Sequence, residues 1–560
     1  MDPKLKKIIF FTLLILSTNV VLAQNTYLKI ASAADFENKI IDSIGYNTKH
    51  PSAKSVFDEF QLVSTKLMKL GYINAELNSN NKVNDSTFLF QVKLKNRTNF
   101  IHIYKGRNSN LKLLSNEFQK SDTLIVKISE TESYLKSLLN NLESKGYSLA
   151  KLKLVNFQSK NNILSAELFL DPGNLRVLNA IVINGYDKFP DSHKKEILRL
   201  FKNKTFNQEN LSKVQNAFEK FRFVNQIKYP EILFTKDTTK IYVYLEKAKA
   251  NKFDGYMGFS NDKNNNLELN GYLDLVLVNI MNAGENLSLY WKSDSGNQKT
   301  FNLDLEVPYI FKTPIAVKAN LNIYKQDSIF QNAKTAIDVG YFFNYNSRLY
   351  LGYLSAESSA IQKSNNSTIR DFSNSFVTAN FEFLTLNKSN FLFPEKTKLS
   401  SKIGYGSRFS NSTNYQQFFA NIDITHILQL DVKNSINLKS RNYYLQSNQY
   451  IVNELYRFGG INSIRGFNEN SLQGNFFSSL LTEYRYLISP ELYVHSILDY
   501  GYYSDSTNSK SDHLFGFGFG FGLLTKNGLL NLIYANGSSG NQKIQLSNSV
   551  VHLSLKLNLF

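Results

Sequence analysis

Near the C-terminal end, one arginine and two acidic residues have the types and spacing of a buried ion-pair lock. Arg465 stands in Gly459-Gly460-Ile461-Asn462-Ser463-Ile464-Arg465-Gly466-Phe467. Glu483 follows in Thr482-Glu483-Tyr484-Arg485, and Asp499 in Leu498-Asp499-Tyr500-Gly501, each about a strand's length further on. A guanidinium presents a planar fork of donors that fits carboxylates, and a charge held inside a protein needs such partners. The competing reading is an exposed loop arginine with no fixed partner. This chemistry holds a structure in place and does not turn over a substrate. No Gly-x-Ser-x-Gly elbow, P-loop or His-Glu-x-x-His is found, and the seven His are scattered. Cys is absent, which excludes disulfides and thiolate metal sites. The expectation is no enzyme activity, no metal and no cofactor.

The elements that must position these residues are strands. From Phe253 to the end no helix pattern is convincing. Apolar residues alternate instead, as in Leu273/Leu275/Leu277, Phe301/Leu303/Leu305/Val307 and Val317/Ala319/Leu321/Ile323, with Asn, Ser, Gly and Asp clusters between the runs. Membrane strands need roughly 9–11 residues each, so about 16 strands with their turns fill the segment. Phe517-Gly518-Phe519-Gly520-Phe521-Gly522 puts rings on one face and leaves the other open to close approach. Aromatics make up 14% of the chain, with 43 Phe, 32 Tyr and a single Trp. That load suits a barrel with aromatic girdles, and a polar inner face explains a mean hydropathy of −0.29. A pair of soluble β-sandwiches is the alternative.

Ahead of the strands lies an internal repeat. Leu67-Met68-Lys69-Leu70-Gly71-Tyr72 matches Leu142-Glu143-Ser144-Lys145-Gly146-Tyr147, and Phe218-Glu219-Lys220-Phe221-Arg222-Phe223 holds the third place. Gly71, Gly146 and Arg222 are 75 and 76 residues apart, and Leu94, Leu170 and Leu245 in the strands that follow are 76 and 75 apart. Each landmark closes a helical pattern, such as Phe57, Phe60, Val63, Leu67 and Leu70. Gly71 and Gly146 suit the left-handed position beyond a helix, and Arg222 breaks the pattern. The reading is three α+β units over 24–97, 98–173 and 174–250, then a polar linker at Lys249-Ala250-Asn251-Lys252 and a barrel over 251–560. One α+β domain of similar total length is the alternative.

At the N-terminus, Lys4, Lys6 and Lys7 precede an apolar run from Ile8 to Leu16, and Val21-Leu22-Ala23 fits a cleavage site. Residues 1–23 are expected to be a signal peptide, since the run is too short to span a bilayer as a helix. The net charge of +18 is spread along the chain without a basic block, which argues for anionic lipid or solvent rather than nucleic acid.

The Arg-Gly-Phe segment, the two acidic residues behind it and the preceding repeat together resemble the POTRA–barrel superfamily of outer-membrane proteins. This superfamily comprises the BamA/TamA family of bacterial surface antigen barrels and, more distantly, the two-partner secretion transporters. Ala180-Ile181-Val182-Ile183-Asn184-Gly185 resembles a POTRA opening strand. Pro308-Tyr309-Ile310-Phe311-Lys312-Thr313-Pro314 and Asn390-Phe391-Leu392-Phe393-Pro394 resemble barrel turns of the family. The resemblance implies three periplasmic POTRA domains and an outer-membrane barrel of about 16 antiparallel strands. It implies that Ile464, Arg465, Gly466 and Phe467 form a loop-lock motif folded into the lumen, with Glu483 and Asp499 as acidic partners. It further implies a seam between the first and last strands, involving Phe253, Gly255, Gly258, Leu555, Leu557 and Phe560. Phe560 is out of phase with the apolar face of Val551, Leu553, Leu555, Leu557 and Leu559. The implied function is assembly: POTRA domains capture unfolded outer-membrane or secreted clients, and the seam helps insert or translocate them. Partners would be such clients, outer-membrane lipid and periplasmic or inner-membrane accessory proteins. The alternative is a two-partner-secretion-type transporter exporting one exoprotein through the lumen. Three repeats and no evident plug helix favour assembly, nearer to TamA-like members.

Overall fold

The computed structural model describes residues 25–105, 109–114, 121–160, 163–261, 267–293, 298–327, 329–361, 368–387, 390, 392–526, 528–540 and 549–559. The expected signal peptide and Phe560 lie outside them. Two compact units result: one holds residues up to Val177 together with Thr205–Glu209, and the other holds the remainder.

The first unit contains two sheets of one plan. In the first, β1 (Thr26–Ala31), α1 (Asp35–Ile44), β2 (Lys49–His50), α2 (Ala53–Lys69), β3 (Glu76–Asn84) and β4 (Thr87–Lys93) give the order β2-β1-β4-β3. In the second, β5 (Phe100–Tyr104), β6 (Thr123–Lys127), α3 (Ile128–Ser144), β7 (Lys151–Lys160) and β8 (Ile163–Asp171) give β6-β5-β8-β7. The central pairs β1/β4 and β5/β8 run parallel. Val56, Val63 and Leu67 of α2 pack onto Leu28, Phe90 and Leu94, and Leu138 and Leu142 of α3 pack onto Ile103, Leu168 and Leu170. The helix pattern read from sequence shifts slightly, because Phe57 and Leu70 are partly exposed and Val56 is the buried residue.

Both helices end alike. Gly71 and Gly146 have φ of +100° and +98°. The Tyr72 N–H donates to the Leu67 carbonyl at 2.9 Å, and the Tyr147 N–H to that of Leu142 at 3.0 Å. This is the six-to-one bond of a glycine-terminated helix, which glycine adopts without a Cβ penalty.

The second unit opens with β9 (Leu178–Asn184), α4 (Asp191–Phe201), α5 (Gln208–Glu219), β10 (Val224–Phe234) and β11 (Thr239–Lys247), in sheet order β10-β11-β9. Arg222, which stands in the glycine position of the repeat, is not in the left-handed region. Its guanidinium pairs with Glu395 of the barrel at 2.5 Å. The residue that breaks the repeat therefore serves a contact that the other two units do not make.

The barrel begins with β12 (Asn251–Asn261), β13 (Leu267–Val278), β14 (Asn286–Ser293), β15 (Gln298–Val307), β16 (Ile315–Gln326) and β17 (Phe330–Asn344). It continues with β18 (Ser347–Ala360), β19 (Phe372–Leu386), β20 (Glu395–Ser410), β21 (Thr413–Gln429) and β22 (Asn434–Ser447). A small hairpin, β23 (Tyr456–Phe458) and β24 (Leu472–Gly474), lies in the following connection. The wall resumes with β25 (Phe476–Leu487), β26 (Leu492–Asp505), β27 (Lys510–Leu524), β28 (Gly528–Ser539) and β29 (Val550–Leu559). Among the described residues these form a closed antiparallel ring of sixteen strands. Asn251 and Lys252, read from sequence as linker, already belong to β12. Asn251 is buried and its Oδ1 accepts from the Val278 N–H at 2.8 Å, a polar residue recruited to the strand by a backbone partner.

Alternation gives the wall two chemistries. Along β26 the buried residues Tyr493, His495, Ile497 and Asp499 face in, while Val494, Leu498 and Tyr500 are exposed. Ile337, Leu351, Tyr353, Val377, Tyr405 and Phe519 extend this outward apolar surface. In β27 the glycine face is filled by neighbours: a Cβ on Gly520 would sit 2.4 Å from the His495 ring, and one on Gly522 2.1 Å from Tyr493.

Candidate functional site

The connection 448–475 folds into the lumen and carries Arg465. Hairpin β23–β24 stacks it on the wall: Phe458 lies 4.0 Å from Phe477 and Tyr456 lies 4.6 Å from Tyr443, with rings nearly parallel. Ile464 and Phe467 complete this cluster with Leu481, Tyr503 and Leu514. Gly466, at φ +87°, passes so close to β28 that a Cβ would lie 2.3 Å from the Asn536 carbonyl carbon and the Gly537 nitrogen. Gly516 of β27 leaves room for the Arg465 carbonyl, which a Cβ there would meet at 2.5 Å. The close approach expected from the Phe-Gly run thus falls one glycine before it.

Arg465 is 2% exposed, Glu483 6% and Asp499 0%, so the exposed-arginine reading does not hold. Arg465 Nε donates to Asp499 Oδ2 at 2.8 Å, and the Arg465 backbone N–H donates to the same oxygen at 3.1 Å. Nη2 reaches Asp499 Oδ1, and Nη1 reaches Glu483 Oε1. A fork engaged on two carboxylates, with every partner desolvated, is the arrangement in which a buried charge pair is both strong and costly to break.

The ring closes where β12 meets β29. Among the described residues this pairing covers Asn251↔Leu559, Lys252↔Asn558 and Phe253↔Leu557. Gly255 and Gly258 register with Leu273 and Asn270 of β13 instead, and Leu555 registers with Leu530 of β28. Among the described residues, Phe253 and Leu557 are the expected seam residues that meet directly, and Phe560 lies outside them.

No protein-family model matches the chain, and no curated protein does. Solved structures are similar to it. BamA from Haemophilus ducreyi lacking POTRA domains 1–3 is 15% identical over 81% of this chain and 99% of that one, with a TM-score of 0.46. CdiB from Acinetobacter baumannii is 13% identical over 89% of this chain and 96% of its own, with a TM-score of 0.49. CdiB from Escherichia coli is 12% identical over 94% and 99%, also at 0.49. At these identities and scores no residue role is carried over from them.

Two members of the lock were not singled out from sequence. Arg485 Nε donates to Glu483 Oε2 at 2.9 Å, and Asn437 Nδ2 donates to it at 3.1 Å. The Arg485 guanidinium also lies 4.2 Å over the Phe393 ring. Glu483 is therefore held between two arginines. Arg485 was legible, because residues two apart in a strand share a face. Asn437 was not, because its strand neighbour is set by register alone.

A second cluster joins the last α+β segment to the rim of the barrel. His193 of α4 is fully buried among Phe221, Phe223, Tyr309 and Tyr345, with its ring 4.7 Å from that of Tyr309. Burial pushes the His193 imidazole down to about 3 and the Tyr309 phenol well above its usual range. Tyr309 itself has φ +54°, and Phe311 and Lys312 in the same turn are also left-handed. Such backbone costs of order 1–3 kcal/mol per residue and persists only where packing holds it. The Pro308–Pro314 turn is bent so that Tyr309 meets His193. Asn279 Nδ2 adds a 2.9 Å bond to the Tyr186 hydroxyl.

Proposed function

We propose that the chain is an outer-membrane protein of the POTRA–barrel superfamily that assembles client proteins. The three α+β segments stand in the periplasm and capture unfolded clients by adding client strands to their sheet edges. The β12–β29 seam then offers a folding edge to the client. The short seam carries this reading. Paired positions end at Phe253↔Leu557, whereas β12 registers with β13 from Lys252 to Asn261. Strand edge beyond the paired positions presents N–H and C=O groups that template another strand. The outward apolar band supports a membrane location, since an exposed face of that size in water would aggregate. Client folding supplies the driving force.

Quantitative proteomics of outer-membrane fractions with and without the protein tests this. Broad loss of several barrel proteins is the expected result. Loss of one secreted protein from the medium, with other barrels intact, would overturn it in favour of a dedicated transporter.

A further inference from the structure

The lumen loop is tied at a second place that neither the Arg-Gly-Phe motif nor the assembly reading requires. Arg408 of β20 is the largest fully buried side chain among the described residues, and its guanidinium pairs with Glu454 in the loop. Glu454 Oε2 accepts from Gln417 Nε2 of β21 at 2.9 Å, and Glu454 Oε1 accepts from the Ile451 N–H at 3.1 Å. The Arg408 guanidinium is also 4.8 Å from the Tyr415 ring centroid. The neighbouring Asn453 is 1% exposed and bonds in three directions. Its Nδ2 donates to Ser358 Oγ of β18 and to the Arg370 carbonyl, both at 2.7 Å, and its own carbonyl accepts from Asn332 Nδ2 of β17 at 2.7 Å.

These contacts lie at the end of the barrel away from β9–β11, close to where β17, β18, β20 and β21 begin or end. Arg465 instead reaches mid-strand positions of β25 and β26, with Gly466 against β28. In the ring order β20 and β21, which carry Arg408 and Gln417, stand two to four places from β25 and β26, whereas β17 and β18, which hold Asn453, stand eight places from β27 and β28 among sixteen, so the contacts of the connection spread over the wall from β17 to β28. A strap fastened at separate points along this much of the wall blocks the bore in a way that one fastened at a single point does not. The two anchors share no side chain, so breaking one leaves the other's partners in place. A third pair, Lys292–Glu469 at 2.6 Å, is partly exposed and correspondingly weaker.

We propose that Arg408, Glu454 and Asn453 are positioning residues that form a second anchor, independent of Arg465, and that the lumen stays shut until both anchors release. The inference goes beyond the assembly reading and stands or falls separately from it, because it concerns the bore and not the client.

The test is single-channel conductance of the purified full-length protein in planar bilayers. One variant carries Arg408→Met with Glu454→Met and another Arg465→Met with Asp499→Asn. Each removes a pair without stranding its partner's charge. A third variant combines all four substitutions. Wild type and both two-residue variants should show the same low conductance, and the combined variant should conduct at least tenfold more. A two-residue variant that conducts as much as the combination, or a combination as closed as wild type, would overturn the proposal. Because the chain has no Cys, Ser463→Cys gives a clean second readout in the same backgrounds. Ser463 is 5% exposed, so thiol labelling should accelerate at least tenfold only when both anchors are broken. Equal acceleration with one broken anchor, or none with two, would also overturn it.

Discussion

The chain is fastened to its barrel wall in two different ways. Inside the lumen the 448–475 connection is held by charge: Arg465 on Asp499 and Glu483, and Arg408 on Glu454. At the rim the segment from α4 to Phe223 is held by rings: His193 against Tyr309 and Tyr345, and Phe221 against Tyr345. The difference follows from the neighbours each must have. The barrel wall alternates an exposed apolar face with an inward polar one, so an inserted loop finds carboxylates and amides there. The rim turns leave the strand pattern, so they are free to present bulky rings, at the cost of left-handed backbone at Tyr309. Charge fastening is directional and all-or-none, because an unpartnered buried ion is penalised. Ring fastening is graded with packing.

Breaking one charged partner should have the largest effect. Asp499→Ala leaves the Arg465 fork with one of its three acceptor oxygens, and a buried pair broken on one side loses about 3–5 kcal/mol. Urea unfolding followed by the heat-dependent gel mobility of the barrel should show a clearly lowered midpoint. An unchanged midpoint would mean that the lumen pairs do not fasten the loop.

A smaller loss is expected from crowding the rim. A Cβ on Gly284 would lie 1.9 Å from His193 Cε1, and Gly284 has φ +78°. Gly284→Ala should cost about 1–3 kcal/mol through overpacking and left-handed strain. Proteolysis between α5 and β12 should accelerate while Ser463→Cys labelling in the lumen stays slow. Loss of both together would show that the two fastenings are one.

Acid should then separate them. His193 titrates at about 3 when folded, against an ordinary value near 6.5. Its folded value is lowered, so its contribution is fully present above about pH 6.5 and is lost as pH falls toward 3. Between these values the unfolded state binds the extra proton, and stability falls by about 1.4 kcal/mol per pH unit. His193→Phe should flatten that slope in pH-dependent proteolysis of the rim. A slope of the same size in the variant would assign it to other groups.

The smallest effect belongs to Arg222→Ala. The Arg222–Glu395 pair is about one-third exposed on each side, and such pairs contribute less than about 1 kcal/mol. A loss comparable with that of Gly284→Ala would show that charge, and not ring packing, dominates the rim.

How much of this was legible can be judged from particular residues. Gly71 and Gly146 announced helix ends because only glycine adopts φ near +100° at no cost, and both helices do end there. Val317, Ala319, Leu321 and Ile323 announced β16 because a half-buried strand repeats every two residues. Arg465 was visible as an inward charge in need of acids, and Glu483 and Asp499 were the acids at the right strand separations. Arg222 was visible only as a broken pattern, since nothing nearby in sequence names Glu395 as its partner. Asn453 and Asn332 lie 121 residues apart, and Arg408 and Glu454 lie 46 apart. No local pattern links either pair.

Local features could be read from the residues alone: the two-residue alternation that sorts inward from outward residues, the glycines that end helices, and the charges that could not remain alone in a lumen. Only the folded ring shows which strands the 448–475 connection touches and how short the β12–β29 seam is. Those depend on ring closure and strand stagger, which are set by the whole circuit of strands at once, so no segment shorter than the barrel carries the information.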